Sequence, residues 1–175
     1  MANNIQTALE DSLYDSLRQI MDHLDRNDVP IIFANQGGLE PHNTYVLINI
    51  IDRKRVGRVQ ESTASPIDGK SINFYTNYYS LCVQISIIGN NSSDVMVDFE
   101  DSVFSSRRCI EYWQMHNLGP LSHSESRRIP QLRETTWVES YNIDLYLSFA
   151  IQSQEEINWI EHFTFKDMYG FDPTP

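Results

Sequence analysis

The chain has very few cysteines, since Cys82 and Cys109 are the only two among its 175 residues. Two thiols cannot build a disulfide framework or a cysteine-rich zinc cluster, so the sequence excludes both of these classes of small stabilised domain. We expect both side chains to be reduced thiols with a structural role.

Long apolar runs are also absent. The two most apolar stretches, residues 45–51 and 81–88, are interrupted by polar side chains, and both are far too short to span a bilayer. Residues 1–4 lack the basic stretch and the apolar run that open a signal peptide. The sequence therefore predicts a soluble protein that makes no contact with a membrane.

Glycine is scarce as well, and its seven residues are too scattered to form a phosphate-binding loop. No serine lies in a G-x-S-x-G motif, the turn that carries the nucleophile of many hydrolases. The five histidines form no H-x-H or H-E-x-x-H pattern, and His116 and His123 have no carboxylate or thiol at ligand spacing. The sequence thus predicts a protein that is not an enzyme, with no catalytic, cofactor-binding or metal-binding residues.

Two further sets of residues are candidate catalytic groups, a cluster of acids and the thiol of Cys109, and the sequence favours a structural role for both. Paired acids do acid–base work when burial separates their pKa values. Three acids instead follow a solvent-facing helical pattern: Asp98, Glu100 and Asp101. Arg107 and Arg108 would lower the pKa of Cys109, but no histidine is placed by the sequence to act as its base.

The charge of the chain is strongly acidic, because 13 Lys and Arg stand against 24 Asp and Glu, for a net charge of −11. Such a chain lacks the net basic surface that a general nucleic-acid-binding protein needs. One segment departs from this average and carries four basic residues within six positions: Arg53, Lys54, Arg55 and Arg58.

Three interpretations of these four residues stay open. They form an exposed loop with surface ion pairs, or they make an electrostatic contact between copies of the chain, or they contact DNA phosphates. A basic segment on an acidic molecule is complementary to other copies of itself, so it would fix their orientation in a ring. We therefore take the four residues as candidates for a subunit or partner interface.

The hydrophobic periodicity predicts two amphipathic helices. In the first, apolar residues recur every three or four positions over residues 5–24, before a stop at three residues: Asn27, Asp28 and Pro30. The second is predicted to begin with N-cap chemistry at residues 92–94 and to carry a stripe of five apolar residues: Met96, Phe99, Val103, Ile110 and Trp113. Three residues are expected to close it: Asn117, Gly119 and Pro120.

Extended segments surround these helices. Alternation of apolar and polar residues, or β-branched and aromatic content, predicts five strands: residues 31–34, 45–51, 79–88, 137–151 and 159–165. Residues 152–156 are expected to turn the chain between the last two. Residues 121–134 are ambiguous and are read as a short strand followed by a turn around Pro130.

The order helix, strands, helix, strands predicts the α+β class. The expected fold is a mostly antiparallel β-sheet with a long N-terminal helix and a second amphipathic helix packed against it. A single domain is predicted over residues 1–165, with a long loop or hairpin at about residues 52–71. Residues 166–175 are expected to form a C-terminal tail that is extended or docked on a partner.

Several short motifs, taken in order, are similar to those of one bacteriophage family. They are Phe33-Ala34-Asn35-Gln36 with Pro41 and Tyr45-Val46, the strand 83–89 before a helix, the strand that opens with Trp137 and carries Asp144, and residues 155–161. Over residues 30–165 the chain resembles the neck or tail-terminator proteins of tailed phages. It departs from the pattern at Ser140, where members of that family often have Arg.

The resemblance implies a structural role with no catalytic residues and no cofactor. Such proteins form a ring, usually a hexamer, that caps the tail tube, ends its polymerisation and joins it to the head connector. The implied partners are the tail tube protein, the head–tail connector and stopper proteins, and the tail sheath. DNA would pass through the bore without specific binding, in a virion assembled in the host cytoplasm.

Two alternatives remain beside this one. The first is another protein of the head–tail interface, such as an adaptor, a stopper or a tube-type protein. The second is a small enzyme with an unrecognised site, which would need a concave pocket with convergent polar groups. A structural protein would instead expose apolar or loop surfaces that become buried on assembly.

Overall fold

The structure is a computed structural model that describes residues 5–34, 37, 41–67, 70–133 and 135–157. Its elements are, in chain order, α1 (Ile5–His23), β1 (Ile31–Phe33), β2 (Tyr45–Ile67), β3 (Lys70–Ile88), α2 (Ser92–Val103), α3 (Arg107–Met115), β4 (Leu118–His123), β5 (Arg127–Arg128), β6 (Gln131–Arg133), β7 (Thr136–Val138) and β8 (Ser140–Ile157). The sheet is mostly antiparallel and follows an N-terminal helix, so the predicted α+β class is confirmed.

The main sheet has the strand order β1-β2-β3-β8-β4, and β5 also pairs with β8. β4 and β5 run antiparallel to β8. β2 and β3 are neighbours in this sheet and only two residues apart in the chain, which requires them to be antiparallel as well. The short strand β1 is the exception, because it runs parallel to β2, with Ile31 opposite Val46. β6 and β7 form a separate antiparallel pair.

Helix α1 buries one apolar stripe, as its sequence period predicts. Its core residues include Leu9, Leu13 and Leu17, which are fully buried. The helix ends when Asp25 adopts a left-handed conformation with φ of 55° and the Arg26 N–H donates to the Met21 carbonyl at 2.9 Å. This arrangement satisfies a carbonyl that the end of a helix leaves without a partner.

The single second helix predicted from residue 92 is wrong, because the chain forms two helices, α2 and α3, with a break at residues 104–106. The indole N–H of Trp113 donates to the carbonyl of Val103 at 3.1 Å, and both residues are fully buried. In a continuous helix, residues ten apart lie about 15 Å from each other along the axis. The hydrogen bond is therefore possible only because the chain turns back between the two helices.

The predicted ends of this helical region are also partly wrong. The N-cap residue of α2 is Asn91, which makes no side-chain cap hydrogen bond. At the other end Asn117, with φ of 60°, follows α3 as predicted. Gly119 and Pro120 do not close the helix, since they lie in strand β4. Proline is tolerated there because β4 is at the edge of the described sheet, where no described strand pairs with its outer side.

The predicted turn at residues 152–156 is wrong too, because β8 continues through them to Ile157. Residues 152–155 are exposed, so they carry no alternation of buried and exposed positions that a sequence would reveal. In this part of the strand Ser153 Oγ contacts the Tyr75 carbonyl oxygen at 3.5 Å. The predicted last strand at 159–165 and the predicted tail at 166–175 lie outside the described residues.

The chain divides into two compact units. The first comprises Met1–Arg58 and Asn77–Ile151, and it contains the hydrophobic core that the described residues form. The second comprises Val59–Thr76 and Gln152–Pro175. Residues 52–67 belong to β2 and residues 70–71 to β3. The prediction of a single domain over residues 1–165 stays a prediction.

Candidate interaction surfaces

Four basic side chains predicted as an interface lie together on strand β2, and we name this stretch, residues 51–58, the basic segment. Every residue of the segment is exposed. The two large apolar residues among them, Ile51 and Val56, have 54% and 51% of their surface in contact with solvent. Gly57 has φ of 72°, and a glycine with positive φ inside a strand is typical of a β-bulge.

One of the four basic side chains is held in place by uncharged groups. Arg53 Nη1 donates to Gln6 Oε1 of α1 at 3.2 Å, and its guanidinium lies 6.0 Å from the centre of the Tyr79 ring. A guanidinium at that distance from an aromatic face gains a modest cation–π attraction. Arg53 is therefore oriented by uncharged partners, which do not compensate its positive charge.

The cations of the basic segment differ from the other described arginines, because they make no ion pair with a described acid. The remaining arginines with described side chains each lie within 4 Å of a carboxylate: Arg18, Arg26, Arg107, Arg108, Arg127 and Arg128. Among the described residues no acid makes such a pair with Arg53, Lys54, Arg55 or Arg58. The interpretation of this run as an exposed loop with surface ion pairs therefore finds no support in the part of the chain that the structure describes.

A second charged surface is the groove between α1 and β1, which we call the acidic groove. Its volume is about 350 Å³, and six residues line it: Glu10, Asp11, Tyr14, Asp15, Ile31 and Phe33. Three carboxylates are thus contributed by one helix, while an aromatic ring and two β1 residues supply apolar surface. Glu10 accepts a hydrogen bond from the amide of Gln6, and none of the three acids is ion-paired with a described residue.

Another depression is polar and lies beside the start of α2. It has a volume of about 320 Å³ and is lined mainly by Asn, Asp, Thr and Arg side chains. Arg26 donates to Asp98 at 2.6 Å, and this hydrogen bond raises the pKa of the guanidinium. The positive charge of Arg26 is therefore already compensated by Asp98.

Two of the three acids weighed as catalytic candidates make structural contacts, and both thiols have a raised pKa. Asp98 pairs with Arg26, and Glu100 accepts from the Ser126 backbone N–H at 3.0 Å. Burial raises the pKa of the Cys109 thiol, and it also raises the pKa of Cys82. A raised pKa keeps a thiol protonated at neutral pH, which is the reverse of what a nucleophile needs.

The histidines do not come together either. His116 Nε2 lies 3.1 Å from the Gln19 amide nitrogen, and His123 Nδ1 lies 2.8 Å from the Ser124 carbonyl oxygen. Across residues 5–34, 37, 41–67, 70–133 and 135–157, no three His, Cys, Asp or Glu side chains are grouped so that they could hold a metal ion. In the same part of the chain, none of the helices is long and apolar enough to cross a membrane.

An exposed apolar pair lies on the separate β6–β7 sheet, and sequence reasoning missed it. Leu132 and Trp137 are directly opposite each other in this sheet, and they are 57% and 67% exposed. Exposed apolar side chains that adjoin one another are typical of surfaces that become buried on assembly. The sequence signal for this pair is Trp137 close after Leu132 across a short polar turn. The prediction of one strand over residues 137–151 is wrong at its start, because Trp137 belongs to β7 and β8 begins at Ser140.

The described residues thus form an α+β fold that exposes an apolar pair and a run of cations without an ion pair to a described acid. The family model of the phage neck terminator protein matches residues 11–168, and the chain belongs to this family. No curated protein matches the chain. The resemblance inferred from the motifs is therefore confirmed.

Membership of this family establishes the general role of the protein. It is a bacteriophage structural protein of the neck, located in the virion, and its family is not a known family of enzymes. It interacts with other proteins of the head–tail region.

Proposed function

We propose that this protein is the tail terminator of its phage: a homo-hexameric ring that caps the tail tube, ends its polymerisation and joins it to the head connector. The observation that carries the proposal is the family match over residues 11–168. The basic segment supports it, because its residues are exposed and its cations make no ion pair with a described acid. A subunit that assembles by contact must display surface that its own fold leaves unsatisfied.

A ring places a specific demand on its subunit. Its contacts are head-to-tail, so every subunit presents two unlike patches that are complementary to each other. The basic segment and the acidic groove are unlike patches on the same compact unit. Arg53, Lys54, Arg55 and Arg58 are accordingly the residues that we propose for the subunit interface.

The proposed partners follow the position in the particle. One face of the ring meets the tail tube protein and the other meets the connector or stopper proteins, and the tail sheath is a further neighbour. DNA passes through the bore without specific binding, in keeping with a net charge of −11 per subunit. The ring assembles in the host cytoplasm and acts without cofactor or catalysis.

The test is deletion of the gene, followed by electron microscopy of the particles that form. Tails of uncontrolled length that are not joined to heads are expected, and a plasmid copy of the wild-type gene should restore normal particles. Tails of normal length that fail only to join heads would instead identify an adaptor or stopper. Normal virions without this protein would refute the proposal.

A further inference from the structure

We propose that the basic segment of one copy docks in the acidic groove of a second copy of the same chain. This inference rests on the proposed function, because it names the surface that the basic segment meets in the ring. In this contact, the cations of strand β2 in one copy bind the carboxylates of α1 in the other.

The basic segment is suited to a partner outside its own chain. Its cations lie on β2, a strand whose outer side is paired among the described residues at Val46, Leu47 and Ile48, where β1 lies alongside. Among the described residues no strand covers that side of residues 51–58. The cations are therefore open to solvent together with Ile51 and Val56, and a second copy would bury charge and apolar surface at once.

The acidic groove matches this segment in chemistry. Its carboxylates lie on Glu10, Asp11 and Asp15, and no cation is among the described residues that line it. Tyr14 and Phe33 add apolar surface beside them. Long cationic side chains lay their methylene stems on apolar surface while their charged ends reach carboxylates, so such a groove fits Lys and Arg better than a small ion.

The two surfaces do not neutralise each other within one copy. The described contact between them is the hydrogen bond of Arg53 to Gln6, which is one helical turn before Glu10. Lys54, Arg55 and Arg58 make no ion pair with the three acids of their own groove. Both charges therefore stay available, and complementary charge is what orients protein surfaces during association.

The first experiment is zero-length carbodiimide cross-linking, which joins an amine to a carboxylate only when the two are in contact. Equal amounts of ¹⁵N-labelled and unlabelled full-length protein are mixed, so that links between copies are recognised by their mixed isotope pattern. We expect Lys54 to be linked to Asp11, Asp15 or Glu10 of another copy. The link should disappear in E10Q/D11N/D15N, and in K54R, which keeps the charge and should still assemble.

The second experiment exchanges the charges. R55E/R58E and D11K/D15K alone should each weaken self-association at least tenfold. Mixed together, the two variants should assemble again, because the reversed segment of one meets the reversed groove of the other. Matched controls carry the same changes on other exposed positions, R107E/R108E and D101K/E125K, and should assemble like the wild type.

The outcomes separate this inference from the proposed function. Rings in which Lys54 is linked elsewhere, or in which the mixed variants fail to assemble, would overturn the inference and leave the ring. A dimer that shows the expected link would keep the contact and contradict the hexameric ring. If neither isolated protein nor protein supplied with tail tubes associates with itself, both are overturned.

Discussion

Replacing Trp113 with Phe tests the contact that joins α2 to α3. The substitution removes the indole N–H that donates to the Val103 carbonyl at 3.1 Å, at a place where both residues are fully buried. The carbonyl is at the end of α2 and has no other described donor, so it would be left unsatisfied away from water.

The expected loss of stability has two parts. A buried acceptor without its hydrogen bond costs about 1–3 kcal/mol. The missing part of the indole ring adds about 1–2 kcal/mol, because the surrounding core closes only partly around a smaller side chain. The free energy of unfolding should therefore fall by about 2–5 kcal/mol, which lowers Tm by about 4–20 °C in a protein of this size.

The assay is urea unfolding followed by circular dichroism, at one fixed protein concentration and with an unchanged m-value. Trp137→Phe is the matched control, because it makes the same chemical change at a side chain that is 67% exposed, and it should cost less than about 0.5 kcal/mol. If Trp113→Phe costs no more than this control, our explanation of the break between the two helices is refuted.

Two further predictions concern glycines and thiols. Gly89→Ala should destabilise the protein by about 2 kcal/mol more than Gly57→Ala. Both glycines have positive φ, but of the two only Gly89 would place a new Cβ against backbone, at 2.6 Å from Thr44 Cα. Equal losses of stability in urea unfolding would contradict this prediction. Since burial raises the pKa of both thiols, Cys82 and Cys109 should react slowly with iodoacetamide at pH 7. The buried Cys109 should be the slower of the two, and its rapid labelling in folded protein would contradict its burial. The raised pKa of the thiols also makes the free energy of unfolding depend on pH. Their contribution to stability is complete below about pH 8.5, the thiol pKa of the unfolded chain, and it is lost as the pH rises through the higher pKa of the folded protein. Urea unfolding should therefore give a lower free energy of unfolding at pH 9.5 than at pH 7.

The elements with a strong period were predictable from the sequence alone. The stripe of α1 and the alternation of β3 and of the first part of β8 give buried positions that match the pattern, because one face of each element packs on the same core. These elements are enough to define the α+β class.

The remaining elements depend on contacts that a local pattern does not contain. The break after Val103 follows from a hydrogen bond to a residue ten positions away. Pro120 is typical of a helix end but lies in an edge strand, and residues 152–155 continue strand β8 with side chains that are all exposed. In each case tertiary structure overrides local propensity.

The candidate surfaces were predictable to a similar degree. Counting charges is enough to find the basic segment, because four cations stand within six residues of an acidic chain. The acidic groove is different, since its acids come from α1 and its two apolar residues from β1, more than fifteen positions later. Only the fold brings these residues side by side.

The central claim is that copies of this chain form a ring at the end of the tail tube. The most direct measurement is a cryo-electron microscopy map of the intact virion at side-chain resolution. The account predicts six copies between the last tube ring and the connector, with strand β2 of each copy at the boundary with its neighbour. A map that places the chain away from the neck, or as single copies that do not touch each other, would contradict it.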